Sequence, residues 1–413
     1  MQGWLVARLR RVTETGRYRP EIDGLRFFAI LPVILWHLME TVARDQQRSA
    51  PLSAQETAFQ YVIPVAWTGV VLFFTISGFI IARQLLAQHE SARPFSARHY
   101  YLRRVTRIEP PYMFVLIATF LVVVGVGYRP ENMVAFWRAP ESFTESLLAS
   151  LFYLHGSLYN TMPRLFPGGW SLEVEVQFYL LAPLIFYTYM RTPSLRRRMY
   201  IGITALLAGA VFAFVLDEIF GDRGGHRYSL LKYFPYFWLG VLLADLHIKR
   251  RLAPLLSQSG WDIAGLLGLI TFMISGIFQH FAEGWNTIVL DLVRFVAITA
   301  MFGGALGGRR AAAFCGSTWI SIIGGACYSF YLTHAQILKI ITPPILAAAQ
   351  PANLYQAYAI SLGVMVPVLL VAGFTFYVLI ERPCMIPNWP TLLWNRLTAP
   401  FRSRPPVADE STR

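Results

Sequence analysis

Charge is scarce in this sequence, and acid is scarcer than base. Only 14% of the residues are Asp, Glu, Lys or Arg, and 23 acids face 36 bases. Soluble globular domains carry roughly 25% charged residues, so a water-covered surface of ordinary polarity is excluded. Cysteine is nearly absent. Cys315, Cys327 and Cys384 stand far apart with no C-x-x-C spacing, which indicates neither a disulfide framework nor a thiolate metal site. No metal-ligand spacing of His, Asp or Glu takes its place. Thr75-Ile76-Ser77-Gly78-Phe79 does not form G-x-S-x-G, so it is no nucleophile elbow. No internal repeat or low-complexity segment stands out. A small-residue cleavage site is also missing after the first apolar block, so that block is expected to stay as a helix rather than leave as a signal peptide.

What is present is hydrophobic: 55% of the residues, gathered in long blocks between short charged loops. Blocks of about 20 apolar residues match the hydrocarbon thickness of a bilayer, whereas soluble helices show narrower apolar stripes. Candidate spans run over 25–42, 61–82, 112–127, 172–190, 200–218, 229–246, 261–279, 288–306, 318–342 and 356–380. With a cytoplasmic N-terminus, the inner segments hold 25 of the 36 Lys and Arg, the outer segments 7 and the spans 4. Counting the apolar stretch 146–159 as a further span would put Arg196-Arg197-Arg198 outside and reverse every later loop, against the positive-inside rule. Residues 146–171 therefore read as a re-entrant or interfacial segment on the outer side. The expected fold is all-α: a polytopic transmembrane bundle of about ten spans with both termini cytoplasmic. It divides into a basic segment 1–24, a membrane domain 25–383 and a cytoplasmic tail 384–413, with no soluble domain expected after the last span. The net charge of +13 sits mostly in alternate loops, which is orientation rather than nucleic-acid binding.

Ionisable groups inside a membrane are costly and usually mark a site. Arg26 and His37 lie 11 residues apart in the first span, close to three helical turns, so they share a face about 16 Å long. Arg26 reads equally as a snorkelling anchor or a functional group. His37 lies in the outer half, where a bonded core histidine is the competing reading. Glu175 and Tyr179 share one face of the fourth span by i,i+4 spacing, behind Trp170 and Ser171. Glu173 is read as a dipole-stabilising acid at the helix start. Tyr331 and His334 share a face of the ninth span, His334 at a depth comparable with His37 and Glu175. Ahead of the third span, Arg103, Arg104 and Arg107 form a cluster. Positive-inside anchoring explains part of it, and phosphate recognition by guanidinium forks explains the density. Gly303-Gly304-Ala305-Leu306-Gly307-Gly308 reads as close helix packing, and Asp291 with Arg294 as an intrahelical pair.

These segments together resemble acyltransferase family 3, the membrane O-acyltransferases of bacterial surface polysaccharides and related acceptors. The resemblance rests on Asp23-Gly24-Leu25-Arg26 with His37, Ser77-Gly78-Phe79, Arg103-Arg104 with Arg107-Ile108 and Pro110, and Trp170-Ser171-Leu172 with Glu175 and Gln177-Phe178-Tyr179. It continues through Phe234-Pro235-Tyr236-Phe237 with Gly240, Tyr328-Ser329 with Tyr331-Leu332 and His334, and Glu381-Arg382-Pro383. Many members have a double glutamate where this chain has Glu175-Val176. Some add an extracytoplasmic hydrolase-like domain after the last span, and none is expected here.

The resemblance implies an inner-membrane, multi-pass enzyme that moves an acyl group, most often acetyl, from cytoplasmic acyl-CoA to a hydroxyl of a saccharide or lipid-linked saccharide at the outer side. Acyl-CoA would be a co-substrate; no permanently bound cofactor is expected. In that scheme His37, Glu175 and His334 are the catalytic candidates, His37 as general base. Arg26, Arg103, Arg104 and Arg107 would hold the donor, and Trp170, Ser171, Tyr179 and Tyr331 the acceptor. A transporter or flippase of a glycan or lipid-linked intermediate is the competing reading, since it too needs buried His, Glu and Arg. The absence of an internal repeat weighs against it.

Overall fold

The computed structural model describes residues 2–11, 18–90, 95–127, 141–221, 225–386, 389–391 and 398. Most of the expected tail, 384–413, lies outside them. Every regular element among the described residues is helical. In chain order the α-helices longer than one turn are α1 (Gln2–Leu9), α2 (Pro20–Ser49), α3 (Ala54–Gln60), α4 (Ala66–Glu90), α5 (Ala97–Phe120), α6 (Phe143–Leu151), α7 (His155–Tyr159) and α8 (Gly169–Met190). There follow α9 (Leu195–Phe220), α10 (Leu230–Ile248), α11 (Gln258–Phe278), α12 (Trp285–Gly307), α13 (Arg310–Cys315), α14 (Thr318–Gly325), α15 (Cys327–Ala349) and α16 (Leu354–Phe376).

Seven of these, α2, α4, α5, α9, α11, α12 and α16, are long and apolar enough to cross a membrane. Large apolar side chains stand out from the bundle, among them Val296 and Val371 at about 70% exposure, as a lipid-facing surface requires. The long helices α8, α10 and α15 fall outside the seven. Their apolar runs are diluted by Glu173, Glu175 and Gln177, by Lys232 and Asp245, and by His334, Gln336 and Lys339.

Two expected boundaries shift for local reasons. The span 318–342 is broken at Ala326 into α14 and α15. Gly324 packs so tightly on α2 that a Cβ there would lie 1.7 Å from the Asp23 carbonyl oxygen. The helix expected from 112 starts at Ala97 instead, where the Ser96 hydroxyl caps the His99 N–H. The arginine cluster therefore lies on α5 itself.

The stretch 146–159 does not cross anything. It forms the short helices α6 and α7, turned by Tyr153 and Asn160 at positive φ. His155 is fully buried there, with Nε2 3.2 Å from Glu141 Oε1 and Nδ1 3.2 Å from the Thr161 carbonyl. Arg164 bonds the Glu141 carbonyl. Glu173, on the second turn of α8, is also fully buried and accepts the Gly156 N–H at 2.8 Å. Its role is to tie α7 to the bundle rather than only to complement a helix dipole.

The centre of the bundle is the α4–α10 contact. A Cβ on Gly78 would meet the Phe237 carbonyl at 2.0 Å, and one on Gly240 would meet the Thr75 carbonyl at 2.1 Å. Each helix thus presents a glycine to the other's backbone, which is how membrane helices gain contact where lipid offers no hydrophobic drive. Phe74, Phe178 and Phe237 stack beside the crossing, with centroids 4.7 and 4.3 Å apart. Small residues serve the same end at α11–α12, where Gly304 faces Gly265 and Trp261 packs on Gly303.

Candidate active site

The α2 helix runs unbroken through both Arg26 and His37. From its second half it presents the His37 imidazole to α15, where His334 stands at a ring-centroid distance of 5.1 Å. His334 Nδ1 lies 2.8 Å from the Tyr331 carbonyl and 3.0 Å from that of Phe330. Carbonyl oxygens only accept, so Nδ1 carries the proton and Nε2 of His334 holds a lone pair. That Nε2 lies 3.3 Å from His37 Nδ1, which also reaches the Val33 carbonyl at 2.7 Å. The same logic places the proton of His37 on Nδ1, shared between the two acceptors. Nε2 of His37 is left as a free base.

Both histidines line a cavity of about 750 Å³ at one end of the bundle. Its wall continues over Trp67, Trp170, Tyr233 and Asp291. Tyr331 and Gly168 belong to the same lining. The Tyr331 hydroxyl donates to the Gly168 carbonyl at 2.8 Å and shares a 2.7 Å bond with Ser171 Oγ.

Glu175 is not beside the histidines. It accepts from the hydroxyls of Ser77 on α4 and of Tyr179 on its own helix. Ser171, Glu175 and Tyr179 follow each other at i,i+4 along α8, a polar stripe about 12 Å long. At its far end Arg104 lies over the rings of Tyr179 and Tyr100, 4.8 and 4.6 Å from their centroids, and donates to Gln84 at 3.0 Å. Arg107 has Arg11, Arg104 and Glu381 for charged neighbours, and Glu381 is anchored by the Ser329 N–H at 3.0 Å and hydroxyl at 2.5 Å. Arg26 is paired with Asp23 at 2.5 Å, and Arg11 reaches the same oxygen at 3.1 Å. None of Arg26, Arg103, Arg104 and Arg107 lines the cavity. Arg19 and Arg83 add positive charge around His247, which burial first and then these two push down to about 4.

The predicted site residues therefore fall into two groups joined by the stripe on α8. His37, His334, Trp170 and Tyr331 share the cavity, with Ser171 bonded at its edge; Glu175, Tyr179 and the arginines lie beyond. Sequence reasoning missed Trp67 and Tyr233 in the cavity wall. It read Asp291 and Arg294 as a pair and nothing more. They are paired at 3.1 Å, and each also bonds a second helix.

Residues 19–382 match acyltransferase family 3, described as an acyltransferase domain. The chain belongs to that family. It is 26% identical over 377 residues to a peptidoglycan O-acetyltransferase (OatA) of Listeria monocytogenes, covering 84% of this chain and 54% of the relative. It is 24% identical over 358 residues to an O-acetyltransferase (OatA) of Staphylococcus aureus, covering 82% and 54%. A putative O-acetyltransferase of another Staphylococcus aureus strain is 24% identical, over 79% of this chain and 51% of the relative. The chain thus spans about half the length of the curated relatives it matches. No solved structure matches it.

Proposed function

We propose that this member of acyltransferase family 3 is a membrane O-acetyltransferase that moves acetyl from acyl-CoA to a saccharide hydroxyl. The observation that carries the reading is the contact of His334 Nε2 with His37 Nδ1 on the wall of a large cavity, which leaves Nε2 of His37 without a hydrogen-bond partner among the described residues. The relatives' names supply the acceptor class, a peptidoglycan-type glycan.

The topology follows from charge. Ten spans with a cytoplasmic N-terminus, in a bacterial inner membrane, put the arginine-rich end of the bundle inside and the cavity outside. Acyl-CoA then binds with its phosphates on Arg104 and the cations around it, since guanidinium groups suit phosphate oxygens. Its narrow arm follows the stripe of Tyr179, Glu175 and Ser171, and Tyr331 swings from Gly168 and Ser171 to let the thioester reach His37.

Chemistry follows from the tautomer. Nε2 of His37 takes the acceptor's hydroxyl proton as the oxygen attacks the thioester carbonyl. The tetrahedral intermediate collapses, the C–S bond breaks, and the CoA thiolate takes that proton back from Nε2. Through both steps the Nδ1–H of His37 stays bonded to Val33 and His334, so the imidazolium formed in between is stabilised in place.

Purified protein given labelled acetyl-CoA should release CoA and label a soluble glycan acceptor when the acceptor is added. CoA release that ignores the acceptor, or none at all, removes the transferase reading.

A further inference from the structure

Behind Asp291 of the cavity wall lies a buried ionic arrangement that transfer chemistry does not use. Arg294 of α12 is completely buried. Its Nε donates to Ser275 Oγ at 3.2 Å, its Nη2 to the Ser275 carbonyl at 3.0 Å and to Gln279 Oε1 at 2.7 Å. Its Nη1 reaches Asp291 Oδ1 at 3.1 Å, and the same oxygen accepts the Tyr236 hydroxyl at 2.6 Å. The guanidinium carbon lies 4.7 Å from the Trp67 ring.

A buried arginine held this completely is expensive in a membrane bundle, and an apolar contact would pack the helices as well. What the arrangement achieves is visible at Asp291. Both bonds fall on Oδ1, so the carboxylate is locked in orientation while it stays 24% exposed on the cavity wall. Oδ2 has no hydrogen-bond partner among the described residues. Trp67 is fixed beside it by the cation and by a bond from its Nε1 to the Tyr233 hydroxyl at 3.3 Å. Trp170 continues the aromatic surface, 5.3 Å from Tyr233 between centroids.

We infer that Asp291 and Trp67 form a pyranose-binding subsite: a sugar ring lies on the Trp67 indole while one of its hydroxyls donates to Asp291 Oδ2. A fixed acceptor atom beside a rigid aromatic face is the pattern by which a mostly apolar pocket orients a polar ligand. An ammonium group is disfavoured at the same oxygen by Arg294 and by Lys232, which lies near enough to act on Asp291 electrostatically. The inference rests on the saccharide acceptor proposed above and adds where the glycan is held: on the wall formed by α4, α10 and α12.

The test is direct binding, which needs no turnover. Chitopentaose, a soluble β-linked pyranose oligomer, is titrated calorimetrically into the detergent-purified full chain. Wild type is expected to bind, and Asp291→Asn, which keeps the side-chain shape, to bind at least tenfold more weakly. Trp67→Leu should weaken binding comparably, and covers the case in which the Asn variant fails to fold. Absence of binding to wild type, or equal affinity in folded Asp291→Asn and Trp67→Leu, overturns the subsite. Because acetyl transfer is measured separately, loss of the transferase reading would show as absent CoA release with saccharide binding intact.

Discussion

Nε2 of His334 lies 3.3 Å from Nδ1 of His37, across 297 residues of chain. His334 has committed its only proton to carbonyls of its own helix, so it faces His37 as an acceptor. In the proposed scheme this makes His334 a positioning residue: it holds the Nδ1–H tautomer and leaves the other nitrogen to the substrate.

His334→Ala is expected to lower kcat about 10²-fold by letting the imidazole rotate, with both KM values nearly unchanged. His334→Gln places an amide oxygen near the lost Nε2 and should recover part of the rate. A parallel rise in KM, or no recovery with Gln, would reduce His334 to a packing residue.

Arg104→Gln is expected to raise the donor KM about ten- to hundredfold, through loss of one charge-assisted phosphate contact worth about 1.5–3 kcal/mol, while the acceptor KM holds. Arg26→Gln should behave differently. Its guanidinium is engaged with Asp23, so the variant should lower the melting temperature more than it alters donor dependence. Steady-state kinetics at varied acyl-CoA separate the two.

Gly78→Ala and Gly240→Ala should each destabilise the bundle. The added methyl would overlap a backbone carbonyl of the opposing helix, and backbone cannot step aside as a side-chain tip does. Overpacking of this kind costs about 1–3 kcal/mol. Thermal melting of the detergent-solubilised protein measures it.

These glycines show what was legible. Ser77-Gly78-Phe79 and Phe237 with Gly240 stood out as motifs, yet only the structure shows that they are two halves of one helix crossing. The helical, membrane-crossing character was plain from block length and loop charge, which are local properties. Long-range pairing was not. Spacing along a helix gives the depth of His37, Glu175 and His334, but not which neighbour each faces. Hence the two histidines meet while Glu175 turns to Ser77 and Tyr179. Asp291 and Arg294 looked self-sufficient at i,i+3 because their bonds to Tyr236 and Ser275 come from helices distant in sequence.

The contribution of His155 to the layer around α6 and α7 should weaken in acid. Burial holds the His155 imidazole below its ordinary value, opposed by the Glu141 carboxylate and reinforced by Arg164, while the Glu173 carboxylate sits on the adjoining Gly156 N–H. The unfolded chain binds this proton near pH 6.5 and the folded one resists it, so unfolding is favoured as pH falls below about 6.5 and unaffected above it. Protection factors over residues 143–166, which correct for the slower intrinsic exchange in acid, should fall between pH 7.5 and 5.5. His155→Gln should abolish that fall. An identical pH response in the variant would assign the effect elsewhere.

Everything in the transfer scheme passes through one nitrogen, so the deciding measurement is acetyl transfer by purified His37→Ala from labelled acetyl-CoA to a glycan acceptor, beside wild type of equal melting temperature. A fall of about 10²–10⁴-fold is predicted, the usual worth of a positioned base. Transfer at the wild-type rate would contradict the account.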